Sequence, residues 1–137
     1  MVVGGGGREH AIIKKIKENK DVTEIFALPG NGGMAEDATC VNVGAKDIDG
    51  LVKFATENAI DFAVVAPDDP LVLGAVDALE AVGVPCFGPR ANAAIVEGSK
   101  SFAKKFMQEN NIPTAAYAFN TMICGRYERI TRFFAKF

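Results

Sequence analysis

From Val2 to Gly88 short apolar runs alternate with helix-length amphipathic segments, and that alternation leaves few folds open. A strand followed by a crossover helix returns the next strand parallel to the first, so repeated βαβ units build a parallel sheet covered by helices. The strand candidates are Val2-Val3, Glu24–Leu28, Cys40–Val43, Phe62–Ala66 and Pro85–Phe87, each short and bounded by Gly, Pro, Asn or Asp. The expected fold class is therefore α/β, a Rossmann-like parallel sheet of about five strands flanked by helices. The first strand is short for a central position, which suggests that residues are missing before Met1.

Helices are expected over Arg8–Asn19, Ile48–Asn58, Pro70–Val82 and Lys100–Asn110. The third is the best signposted. Asp69 reads as its N-cap and Pro70 as its first residue, Leu71, Val76, Leu79 and Val82 form an apolar face, and Gly83 closes the end. The fourth has Ser99 as cap and Phe102, Phe106 and Met107 on one face, and it must end before Pro113.

In an open α/β sheet ligands bind at the carboxyl ends of the strands. Three loops stand there: Gly4–Arg8, Pro29–Gly33 and Pro67–Asp69. Four consecutive glycines, Gly4, Gly5, Gly6 and Gly7, exceed what a structural turn requires; without Cβ atoms their N–H groups can approach an anion, and the helix beginning near Arg8 adds positive potential. This reads as a phosphate cradle. A dinucleotide fingerprint would need a third glycine, but Glu9 or His10 stands there, and the second strand runs out as Phe26-Ala27-Leu28-Pro29 without a ribose-binding acid. A sugar phosphate is thus preferred to NAD, with a small NAD-binding oxidoreductase domain kept as the alternative.

Other residues admit two readings each. Arg8 either bonds the phosphate or is a solvated first-turn residue. Asn31 either bonds a sugar hydroxyl or caps its turn. Asp68 either accepts two ribose hydroxyls or is a solvated turn residue. Lys100 opposes the helix dipole, which hints at an anionic ligand, against the plainer reading of a solvated lysine. His10, the single histidine, reads as a packed or capping residue rather than a catalyst.

At 137 residues the chain suits one domain, and 49% hydrophobic and 23% charged residues with a net charge of −2 suit a soluble protein without a nucleic-acid or membrane partner. Three scattered cysteines, Cys40, Cys86 and Cys124, fit neither a zinc site nor a disulfide framework and point to a reducing, cytoplasmic setting. No apolar run approaches the ~20 residues of a membrane-spanning helix, and the N-terminus lacks signal-peptide features.

The segments Gly4–Ala11, Pro29-Gly30-Asn31, Ala66–Val72, Phe87-Gly88-Pro89 and Glu97–Lys104, in that order and spacing, resemble phosphoribosylamine-glycine ligase, also called glycinamide ribonucleotide synthetase, over residues 1 to about 119. The resemblance implies a pre-ATP-grasp domain of a purine-biosynthesis ligase that joins glycine to 5-phosphoribosylamine, converting ATP to ADP and phosphate with Mg²⁺ or Mn²⁺. It also implies substrate binding by Gly4, Gly5, Gly6, Gly7, Arg8, Glu9, Gly30, Asn31 and Asp68, and contact of Lys100 with the ATP phosphates. No catalytic or metal-binding residue is assigned, because that part of the family pattern comes later than residue 120. The fragment alone is accordingly expected to be inactive and to bind no cofactor of its own.

Residues 120–137 read as an atypical tail, truncated or frame-shifted, with Arg126, Arg129, Arg132 and Lys136 at helical spacing opposite Tyr127, Ile130, Phe133 and Phe134. It leaves the chain a monomer or a weak dimer through the tail, and a self-associating non-catalytic fragment and an RNA-binding arm are the rival readings.

Overall fold

The computed structural model describes residues 1–117. The sheet is parallel throughout, in the order β3-β2-β1-β4-β5, with β1 Val2–Gly4, β2 Phe26–Pro29, β3 Thr39–Cys40, β4 Ala63–Val65 and β5 Cys86–Phe87. All five expected strands are present. Their bounds shift, most at β3, where the expected Val41–Val43 segment lies beyond the strand.

Successive residues of an extended chain point to opposite faces. Val2, Ala27 and Val64 therefore pack with Ile13 and Met34 on one face, while Val3, Leu28 and Val65 pack with Leu51, Leu71, Val76 and Leu79 on the other. The first face is covered by α1 (Gly7–Lys17), the second by α2 (Ile48–Glu57), α3 (Asp68–Val72) and α4 (Ala75–Ala81). Each such buried aliphatic side chain contributes about 1.5–3 kcal/mol over an exposed one.

The expected helix over Pro70–Val82 is two helices. Gly74, at φ +86°, occupies the left-handed region and separates α3 from α4. The start is also corrected: Pro67 is the N-cap, so Asp68 opens the helix and Asp69 is its second residue rather than its cap. Pro70 thus lies third, where its missing N–H is still not needed by the helix. Leu71, Val76 and Leu79 are buried as expected, but Val82 is 47% exposed. Gly83 does close the end: its N–H bonds the Glu80 carbonyl and the N–H of Val84 bonds that of Leu79.

A helix not anticipated, α5 (Ala91–Gly98), follows β5, and α6 (Lys100–Glu109) comes next. The residue before α5 is Arg90, which carries no capping oxygen; the first N–H, of Ala91, is capped instead by Asp77 Oδ2 at 2.9 Å from α4. Ser99 caps α6 through Phe102 N–H at 3.3 Å. Phe102 and Phe106 of α6 stack on each other yet remain about 40% exposed. Cys40 and Cys86 are free thiols, and burial pushes that of Cys86 up to about 11. Cys124, the aromatic-basic segment and the boundary at residue 119 lie outside the described residues. No helix of the described residues is long and apolar enough to cross a membrane.

Candidate functional site

The chain leaves β1 for β2 on one side and later passes from β3 to β4 on the other, so the loops after β1 and β4 flank the point where strand order reverses. The loop after β2 joins them. Gly30 N–H bonds the Gly4 carbonyl at 3.2 Å, Asn31 Nδ2 donates to the Gly5 carbonyl at 2.9 Å, and the Pro67 ring abuts the α-carbon of Gly4. The three loops singled out in the sequence are thereby brought together at one end of the sheet.

The glycines do different work. Gly4 has φ +127°, and a Cβ on it would lie 2.7 Å from Glu9 Cγ and 2.9 Å from Pro67 Cγ. A Cβ on Gly5 would lie 2.8 Å from the Gly30 carbonyl oxygen, and one on Gly6 2.8 Å from Glu9 Oε2. Packing inside the protein thus accounts for three of the four, contrary to the expectation that a structural turn would not need them. Only at Gly7 would a Cβ meet nothing within 4 Å. Gly7 is also exposed.

Glu9 is the reason for much of this crowding. It is 3% exposed, and its Oε2 accepts the Gly6 N–H at 2.8 Å while Oε1 accepts Arg8 Nε at 2.8 Å. This is the glutamate half of a capping box, with glycine in place of the usual hydroxyl residue. Burial pushes the carboxyl up, but the hydrogen bonds from Arg8 and Gly6 and the Arg8 charge outweigh it and hold Glu9 below the usual carboxylate range. Both oxygens of Glu9 have partners inside the protein, so its position in the structure is that of a brace under the loop. The spacing Gly6-x-x-Glu9 was the signal available in the sequence.

With Gly6 satisfied, the first-turn N–H groups of Gly7 and Arg8 have no acceptor within the helix. Both residues are exposed, and the Arg8 side chain, 58% exposed, bonds Glu9 through Nε. Asp68 and Glu97 both act electrostatically on Arg8, secondary to the Glu9 hydrogen bond that raises its basicity most. Asp68 is exposed. Its neighbour Asp69 forms an ion pair with Lys46, a residue of the loop before α2 that the sequence did not single out. Lys100 is the first residue of α6 and is exposed.

Asn31 takes the capping role among its two readings. Its Oδ1 accepts from Gly33 N–H at 2.8 Å and Met34 N–H at 3.0 Å, starting the 3₁₀ turn Met34–Glu36. Gly30, at φ +72°, passes so close to Cys40 that a Cβ would lie 2.5 Å from its Sγ. His10 is likewise a packed residue: Nε2 lies 3.1 Å from Asp37 Oδ2, and Asp37 also accepts from Lys17 at 3.0 Å. Lys17 first and His10 second hold the Asp37 carboxyl below its ordinary range. A cavity of about 300 Å³ lies at the opposite end of the sheet, lined by Met1, Ile16, Asp21, Phe26, Asp61 and Phe62 among others, and it touches none of the three loops.

A glycine-rich turn feeding a helix at the switch point occurs in many α/β families, and comparison with known sequences separates them. A family profile described as the phosphoribosylglycinamide synthetase N domain matches residues 1–97. The chain belongs to that family. A phosphoribosylamine–glycine ligase of Allochromatium vinosum is 50% identical over 119 residues, covering 85% of this chain and 28% of the relative. One of Caldanaerobacter subterraneus is 45% identical over 134 residues, covering 97% of this chain and 31% of the relative, so that alignment takes in most of the tail. The chain therefore spans less than a third of the length of these curated relatives. Among solved structures, the phosphoribosylamine–glycine ligase of Thermotoga maritima matches with a TM-score of 0.58 at 28% identity, over 84% of this chain and 25% of that one. The family and the parallel-sheet fold are thus established on sequence and on structure together.

Proposed function

We propose that this domain holds 5-phosphoribosylamine for the ligase that joins it to glycine with consumption of ATP in purine biosynthesis, with the substrate phosphate at the start of α1. The observation that carries the reading is the open first turn: the N–H groups of Gly7 and Arg8 lack helical acceptors, the space before Gly7 is clear, and Arg8 stands beside them. Such a turn presents oriented donors and the positive end of the helix dipole to an anion. The ribose would then extend toward the loops that carry Asn31 and Asp68, both of which border the same end of the sheet.

The roles of the expected residues are redistributed in this reading. Gly4, Gly5, Gly6 and Glu9 shape the cradle from behind, Gly30 and Asn31 fasten the neighbouring loop to it, and Gly7, Arg8 and Asp68 face the substrate. Among the described residues no group of three metal-ligating side chains is present, and Lys100 lies exposed at the start of α6. The domain's own chemistry in this reading is to bind and orient the sugar phosphate.

The test is a calorimetric titration of the chain with ribose 5-phosphate, with NAD as a separate ligand. Gly7→Val fills the open space without touching the packed interior, so it should keep the wild-type melting temperature and weaken ribose 5-phosphate binding by about tenfold or more, the loss of one charge-assisted contact. Equal affinity of wild type and variant, or binding of NAD in preference to the sugar phosphate, would overturn the reading. Gly6→Val is the poorer probe, because its Cβ displaces Glu9 as well.

A further inference from the structure

We infer that the cavity at the opposite end of the sheet is a strand slot, which takes an extended polypeptide segment continuing β1 upstream of Met1, apolar at its first residue and basic at its second. The position of the cavity carries the inference. β1 pairs in parallel with both β2 and β4, so these two neighbours stand one strand apart, roughly 10 Å between backbones. Upstream of Met1 the same two neighbours supply the walls: the cavity, about 300 Å³, is lined by residues 21–26 leading into β2 and 58–62 leading into β4. It touches none of the three loops of the substrate reading, so the two proposals stand or fall separately.

The backbone is set for pairing there. The Met1 nitrogen donates to the Phe62 carbonyl at 2.7 Å and the Met1 carbonyl accepts from Val64 N–H at 2.9 Å, which is the parallel ladder around Ala63, running at Met1 itself. On the other side the carbonyls of Ile25 and Ala27 accept from Thr39 and Val41, so the Phe26 N–H between them turns away from β3 and toward β1. It points where the carbonyl of the residue before Met1 would lie. Burial holds the Met1 ammonium below its ordinary range, and a peptide bond at that nitrogen keeps the bond to Phe62 without the charge.

Side-chain preferences follow from the two faces. Met1 packs with Val3 and Leu28, so the first upstream residue turns to the α1 face, where Ile16, Val22 and Ile25 line the cavity. In register it stands level with Ile25 and with Phe62, which is 49% exposed. An aliphatic side chain belongs there. The second upstream residue comes level with Glu24 and Asp61, which line the cavity together with Asp21, while no Lys or Arg lines it. The Asp61 charge already acts on the Met1 ammonium. A basic residue complements these carboxylates.

The test is a set of extensions of the full chain, Met-Lys-Ile, Met-Glu-Ile and Met-Ile-Lys, each placed directly ahead of Met1. Melting temperature and hydrogen exchange of the Phe26 amide are read in each. Met-Lys-Ile should raise Tm by about 5 °C and slow exchange at Phe26 about tenfold, through the buried Ile and the new ladder bond. Met-Glu-Ile should slow the exchange but raise Tm less. Met-Ile-Lys sets its side chains on the wrong faces and should bring neither gain. Glu24→Gln combined with Asp61→Asn should remove the difference between the Lys and Glu extensions. Equal Tm for the Lys-Ile and Ile-Lys orders, or unchanged exchange at Phe26 in all three, would overturn the inference, and so would an extended chain that no longer folds.

Discussion

Two loops flank the strand-order reversal, and they begin their helices by opposite means. The loop after β1 has no side chains of its own until Arg8, and a glutamate from inside the helix folds back to fill the space beneath it. The loop after β4 is set by Pro67 and Pro70 and shows two carboxylates to solvent, one of them held by Lys46 from another loop. One is braced from within by a buried charge; the other is balanced from outside by an exposed one. Burial decides which of the two braces carries folding stability, because a charge-assisted bond inside the protein has no water to replace it.

The sharpest way to break the comparison is Gly4→Ala. It combines a left-handed backbone with a clash against Glu9 and Pro67, which together should cost about 3–5 kcal/mol in denaturant unfolding. A loss below 1 kcal/mol would show that the loop yields easily and that Glu9 does not define it. Next comes Glu9→Gln, expected to cost about 1–3 kcal/mol at neutral pH. Its sign with pH follows from the depressed carboxyl: the stabilisation is complete above the ordinary value of 4.5 and is lost as pH falls through the lower value of the folded state. Unfolding free energies of wild type and variant should converge on acidification, and a gap that stays constant from neutral to acid would remove the charge from the explanation. The smallest effect belongs to Lys46→Met, which leaves an exposed pair unmade and should leave the unfolding midpoint within error. A clear drop there would erase the contrast between the two loops.

The legible parts of the fold were those written in local pattern. Alternation of apolar runs and amphipathic stretches gave the parallel sheet, and Gly83 and Ser99 ended and began helices as their chemistry requires. The failures share a cause. Helix α5 was missed because its first N–H is capped by Asp77, fourteen residues earlier in the chain. Asp69 was misread as a cap because nothing local says that Pro67 already takes that position or that Lys46 is waiting for the carboxylate.

At the candidate site the division is similar. Asn31 as a turn cap and His10 as a packed side chain were open or favoured readings that need only near neighbours to be stated, although Asp37 as the partner of His10 was not foreseen. The four glycines read as room for a ligand, whereas Glu9 crowds Gly4 and Gly6 from within α1, and Pro67 and Gly30, on two other loops, crowd Gly4 and Gly5.

The order of residues by itself determined an α/β chain with its glycine turn at a strand end, because side-chain periodicity and turn chemistry act over a few residues. Tertiary structure alone decided which glycines are filled from behind and which one faces open space. At Gly6 the filling atom comes from Glu9, three residues on, but at Gly4 and Gly5 the choice also depends on close approach between loops 25 or more residues apart, as when Gly30 meets Gly5, and no local pattern records such a distance.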